Sequence, residues 1–150
     1  MKLITWNIQW GLGMDRQCDL ARMVVHARSM ADFDVLCLQE VSDRFDDLEG
    51  TQGKNQFAAL ADLLPDYLAI DGIAVDVPHR QGGRKRFGNM MLSRLPVARI
   101  MRHALPWVGD ETPNMPRVLI DATVMAPFGP VHVMTTHLEY SSAKLRAAQV

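Results

Sequence analysis

Eight residues, Asp34–Val41 (DVLCLQEV), constrain this chain more than any other stretch. Their apolar side chains fall at consecutive positions rather than alternate ones, so both faces of the segment need cover. A strand of that kind belongs in the middle of a sheet with a layer on each side. The segment also delivers a carboxylate, Glu40, to its end, and a buried carboxylate is costly unless it is paired or bound to a cation. Upstream, Lys2–Gln9 alternates, with Leu3, Thr5, Asn7 and Gln9 on one side and Ile4, Trp6 and Ile8 on the other. That is strand patterning, closed by Gly11 and Gly13. Between the two strands, Asp15–Met30 sets Leu20, Met23, Val24, Ala27 and Met30 at helical spacing. Strand, helix and apolar strand in succession predict an α/β protein.

Further along, Asn55–Leu64 reads as a second helix ended by Pro65, and Asp66–Ile70 and Ile73–Val77 as two short strands. His79–Arg86 (HRQGGRKR) reads as a polar, glycine-containing loop. The pattern then turns β-rich through Phe87–Ser93, Val97–Ala104, Arg117–Met125 and Pro130–His137, with Pro96, Pro113, Pro116, Pro127, Gly129 and Pro130 in the turns. Ser141–Val150 opens a helix whose register reaches the last residue without a cap, so a continuing segment is expected. No repeat, low-complexity tract or linker interrupts the 150 residues.

Sixteen basic and seventeen acidic residues leave a formal charge of −1. Proteins that grip the nucleic-acid backbone regardless of sequence carry a clear basic excess, so that class is disfavoured. Two cysteines are too few for a disulfide scaffold, and Cys37 reads as a small buried hydrophobe. The ten methionines read as core filler. Met1 leads straight into strand-like sequence with no signal-peptide pattern, and no run approaches the ~18 apolar residues of a membrane span. A soluble, reduced, cytoplasmic protein is expected.

Polar residues stand at or near the ends of several predicted strands, where α/β sheets place their sites: Asn7, Glu40, Asn89 and His137. Mg²⁺ is held by one or two carboxylates, with water and substrate phosphate completing its shell, which Glu40 would suit. An exposed strand-end glutamate is the commoner reading for Glu40 alone. Asn7, in an otherwise apolar strand, is either part of a structural network or a residue that orients a carboxylate or phosphate oxygen. His137 can donate to a phosphate oxygen, although single histidines more often have structural roles. No one position decides the matter.

Taken in order, ITWNIQWG, DVLCLQEV, FGNMMLSRLPV and TTHLEYSSAKLRAAQ closely resemble motifs of the endonuclease/exonuclease/phosphatase superfamily, which includes deoxyribonuclease I-like nucleases and inositol-polyphosphate phosphatases. The resemblance runs from residue 3 to residue 149. It implies the N-terminal half of a four-layer αββα sandwich, with a mixed, mostly antiparallel sheet and helices on its outer face. By resemblance Glu40 is the metal ligand, Asn7 helps organise the metal and phosphate, and His137 contacts the scissile phosphate. Asn89 lies near the site, and Arg117 stands where some relatives place a phosphate-contacting arginine. Arg146 and Gln149 match a helix-docking R-x-x-Q. The cofactor implied is Mg²⁺, with Mn²⁺ as the alternative ion.

The family's G-D-x-N and S-D-H strings, which supply the general base, do not occur here. Residues 1–150 are therefore expected to form the first half of the domain and to be nearly inactive without the second half or a second chain. One half alone is also expected to expose the inner face of its sheet. The implied reaction is in-line attack of water on phosphorus in a phosphodiester or phosphate monoester, with nucleic acid among the candidate substrates. Arg80, Arg84, Lys85 and Arg86 in the polar loop, joined by His79, are candidate contacts to phosphate, or simply solvated side chains. Trp107, in a proline-rich stretch, either stacks on a base or packs. A competing reading is a non-catalytic module that binds a partner through the uncovered sheet face. A glycosidase built on Glu40 and Glu139 would explain neither Asn7 nor the LSR motif.

Overall fold

In the computed structural model, residues 1–107 and 115–150 are described; Pro113 of the proline-rich stretch lies outside them. The chain runs β1 (Leu3–Asn7), a 3₁₀ turn (Gln9–Gly11), α1 (Leu20–Met30), β2 (Val35–Asp43), α2 (Gln56–Leu63), β3 (Leu68–Pro78) and β4 (Arg84–Ser93). It continues through β5 (Val97–Ala104), β6 (Val118–Ala126), β7 (Gly129–Thr136) and α3 (Ala143–Ala148). A four-stranded sheet has the order β1-β2-β4-β3, and a three-stranded sheet the order β5-β6-β7. Only the β1–β2 pair is parallel; β2–β4, β3–β4, β5–β6 and β6–β7 are antiparallel.

β2 lies between β1 and β4, as its two-sided apolarity requires. On one face Leu36, Leu38 and Val41, with Met90 and Leu92 of β4, pack against Met23, Val24 and Ala27 of α1 and Leu60 of α2. On the other, Val35 and Cys37, with Ile70 and Met91, meet Ile120, Ala122, Val124 and Val133 of the second sheet. Large apolar side chains buried in this way each contribute about 1.5–3 kcal/mol. The chain therefore builds three layers, helices on sheet on sheet. The expectation of an exposed inner face is corrected for its middle, where β5–β7 cover Val35, Cys37, Ile70 and Met91; on the same face Leu3 and Thr5 of β1 stay exposed. The outer side of the three-stranded sheet is open as well, and Met101, Met125 and Met134 are exposed there.

Local chemistry explains the other departures from the sequence reading. α1 begins at Leu20, not Asp15, because the Asp19 carboxylate accepts from the Arg22 amide and caps the helix there. The two short strands are one, β3, with a register shift between Ile73 and Val75 that breaks the alternation. The polar loop is shorter than expected, since Arg84–Arg86 are paired in β4 opposite Asp76–Pro78. Gly88 lies where β3 crosses closely: a Cβ there would stand 2.0 Å from the Gly72 carbonyl oxygen. No helix among the described residues is long and apolar enough to cross a membrane.

Candidate active site

β1 runs parallel to β2 and ends at Asn7, beside Gln39, where β2 continues. The β2–β4 register then shifts between Leu38 and Val41, and within that irregularity Glu40 adopts a φ of 62°. For a non-glycine residue the left-handed region costs about 1–2 kcal/mol. Here it lifts one residue out of the ladder and turns its carboxylate toward Asn7. The Asn7 amide Nδ2 donates to Glu40 Oε1 at 3.0 Å, while its Oδ1 accepts from the Gln9 amide at 3.0 Å. Asn7 thus fixes the carboxylate through one end of its amide and the chain leaving β1 through the other.

The facing sheet supplies the remainder. His137 follows β7 directly, and Arg117 immediately precedes β6. Arg117 Nη1 lies 3.2 Å from His137 Nδ1. A guanidinium has only donors, so Nδ1 accepts and the ring proton sits on Nε2. His137 Nδ1 is 3.7 Å from Glu40 Oε1, which joins the two sheet ends at one place. Burial, followed by the charge of Arg117, pushes the His137 pKa below its ordinary value, against the opposing pull of Glu40 and Glu139. The shift favours the neutral imidazole. A small crevice of about 10 Å³ is lined by Phe87, Gly88, Asn89, Arg117 and His137 among others.

Asn7, Glu40, His137 and Arg117 therefore come together, and Asn89 lines the same crevice. The Asn89 side chain is buried and donates to the Val118 carbonyl at 2.9 Å, which ties β4 to β6. Arg84 and Arg86 stand elsewhere, on the outer part of β4. Arg84 donates to Asp76 Oδ1 at 2.5 Å, and Arg86 lies 3.6 Å from Asp76 and 4.0 Å from Asp43. Lys85 is likewise matched by Asp47 and His79 by Asp46. A cavity of about 600 Å³ opens beside these pairs, lined by Asp46, Asp47, His79, Arg80 and Lys85 among others. None of the converging residues lines it, so the largest of these volumes and the converging polar residues lie apart in this fold.

Two contributors were not picked out from the sequence as site residues. Gln39 donates to Thr5 and Thr135 and so joins β1 and β7 to β2 beneath the site. Glu139, considered only as a sugar-cleaving partner for Glu40, is fully buried and receives Arg117 Nη2 at 3.3 Å. Its position two residues beyond His137 was the available signal. The R-x-x-Q docking is seen directly: Arg146 donates to the Glu139 carbonyl, and Gln149 binds the Glu139 amide and the Pro106 carbonyl.

The chain belongs to the endonuclease/exonuclease/phosphatase family, whose profile matches residues 4–150. Among solved structures, an endonuclease/exonuclease/phosphatase from Beutenbergia cavernae is similar at a TM-score of 0.71 and 26% identity. The match covers 96% of this chain and 39% of that one. An endonuclease/exonuclease/phosphatase family protein from Leptotrichia buccalis shares the fold at a TM-score of 0.65 and 18% identity, over 97% of this chain and 57% of that one. The chain thus spans well under two thirds of either protein. Comparison with curated proteins gave no significant match.

Proposed function

We propose that residues 1–150 carry the metal- and phosphate-binding part of a divalent-metal-dependent phosphoester hydrolase. The observation that supports this most is the convergence of Asn7, Glu40, His137 and Arg117 from two facing sheets, with Glu40 held in a strained backbone conformation. The donor set suits a hard cation that keeps its waters: one partly exposed carboxylate and one neighbouring amide. It does not suit a closed cage, and no group of three or more metal-ligating His, Cys, Asp or Glu occurs among the described residues. Glu40 would hold Mg²⁺ or Mn²⁺, with Asn7 beside it. When bound, the ion would neutralise charge on a phosphate oxygen and on the leaving oxygen.

The chain's own residues have distinct parts in this reading. Asn7 keeps the Glu40 carboxylate facing the phosphate. His137, neutral and protonated on Nε2, donates to a non-bridging oxygen as charge develops there. Arg117 holds that tautomer and adds positive potential behind it. Asn89 builds the crevice wall rather than gripping substrate. Arg84 and Arg86, both neutralised by aspartates, are left for outlying parts of the substrate. That matching of base by acid favours a small phosphoester over a long nucleic-acid duplex. The proton acceptor for the attacking water is expected outside residues 1–150, because the family's base-bearing strings have no counterpart in this sequence.

The test is hydrolysis of bis-p-nitrophenyl phosphate, plasmid DNA and an abasic oligonucleotide by the full protein with Mg²⁺, beside Glu40→Ala. Expected are turnover of the small diester, abolition by EDTA, and a loss on the order of 10²–10³-fold in the variant. Activity that survives EDTA, or is untouched by Glu40→Ala, would refute the metal assignment.

A further inference from the structure

Beyond the residues just assigned, the structure contains a second carboxylate that cannot meet substrate yet is wired to the site. Glu139 is 0% exposed. Oε1 accepts from the Ser141 amide at 2.8 Å and the Ser141 hydroxyl at 2.6 Å, and Oε2 accepts from Arg117 Nη2 at 3.3 Å. Its backbone is pinned as well, the amide donating to Gln149 Oε1 and the carbonyl receiving Arg146 Nη1. The Ser141 donors, with a further contribution from Arg117, hold its carboxyl below the ordinary glutamate value in spite of burial. The group is thus an anion with donors on both oxygens.

Arg117 is almost as buried, at 6% exposure, and its two terminal nitrogens are divided between His137 and Glu139. The chain segment that delivers His137 therefore also delivers, two residues later, the anion that grips the guanidinium from the other side. Buried ion pairs often contribute no net stability compared with an apolar replacement, since desolvation offsets attraction. Orienting a group is a use that such a pair serves well. We infer that Glu139 is a positioning residue: its buried carboxylate clamps Arg117 against His137 Nδ1 and so fixes the imidazole tautomer and angle presented to phosphate. The docked segment Ser141–Gln149 is part of the same clamp.

The kinetic part of the test rests on the hydrolase reading; a spectroscopic part does not. In the full protein, Glu139→Gln keeps the side-chain shape and removes the charge. Expected is a fall in kcat of about 10–100-fold with KM nearly unchanged, as for other supporting-shell losses. Glu139→Asp should recover part of it, and Glu139→Gln combined with Arg117→Ala should be little worse than Arg117→Ala alone. A kcat within twofold of wild type in folded Glu139→Gln, or fully additive losses in the double variant, overturns the inference. Should the unsubstituted protein show no metal-dependent hydrolysis, the function reading fails, and the clamp is judged by NMR of the Arg117 guanidinium. Hindered rotation giving separate Nη signals in wild type, averaged in Glu139→Gln, supports the clamp; signals equally resolved in both overturn it. If Glu139→Gln does not fold, Ser141→Ala removes one donor to the same carboxylate, and unchanged Arg117 dynamics there overturns the inference.

Discussion

Glu40 of β2 lies 3.7 Å from His137, whereas Glu139 reaches the same ring through Arg117, and the two carboxylates sit in different settings. Glu40 is partly exposed, sits at a φ of 62°, and among the described residues receives one hydrogen bond at its carboxylate, from the Asn7 amide. Glu139 is fully buried, with donors from Ser141 and Arg117 on both oxygens. The first keeps most of its lone pairs open among the described residues; the second receives three donors from the protein. On the proposed reading, the strained and sparsely bonded carboxylate is the binding position, and the relaxed, well-bonded one is the scaffold behind it.

The largest expected effect that could break this contrast is at Glu40. If it is the open member, Glu40→Ala removes about 10²–10³-fold of metal-dependent turnover, measured as kcat/KM, while folding is retained. Next is His137→Ala, which takes away a phosphate donor and should cost on the order of 10²-fold in kcat. Asn7→Ala frees the Glu40 carboxylate to swing and should weaken Mg²⁺ activation about 10–100-fold, read from the metal concentration at half-maximal rate. A smaller effect sharpens the strain argument. Glycine adopts positive φ freely, so Glu40→Gly should be more stable than Glu40→Ala by about 1 kcal/mol in urea unfolding. Equal stabilities would mean that the backbone there carries no strain.

The smallest effect concerns pH. The Glu139 carboxyl is depressed in the folded state, so its contribution is complete above the ordinary glutamate value and is lost as pH falls through the lower folded value. Wild type should therefore lose stability on acidification more steeply than Glu139→Gln. Parallel curves would show that Glu139 keeps the same proton affinity folded and unfolded.

Much of this was legible beforehand because it is local. Two-sided apolarity placed β2 at the sheet centre, and Val97–Ala104 was read to the residue. Asn7, Glu40 and His137 were findable because each interrupts or ends an apolar strand. What could not be read depends on partners distant in sequence. The middle of the first sheet's inner face is covered by strands whose partnership no periodicity encodes. Arg84 and Arg86 looked like a basic loop because their neutralising carboxylates, Asp76 and Asp43, approach only once β3 and β2 flank β4. Glu139 looked unremarkable because its role is set by Arg117, 22 residues away and in contact only through the β6–β7 hairpin.

The central claim is that Glu40, and not the acidic rim near Asp46 and Asp47, is where a divalent cation binds. Paramagnetic Mn²⁺ added in trace amounts to the isotopically labelled protein tests this most directly. The account predicts that the signals of Asn7, Glu40 and His137 broaden first, and that Glu40→Gln abolishes the broadening. Broadening confined to Asp46, Asp47 and His79, or unchanged by Glu40→Gln, would contradict it.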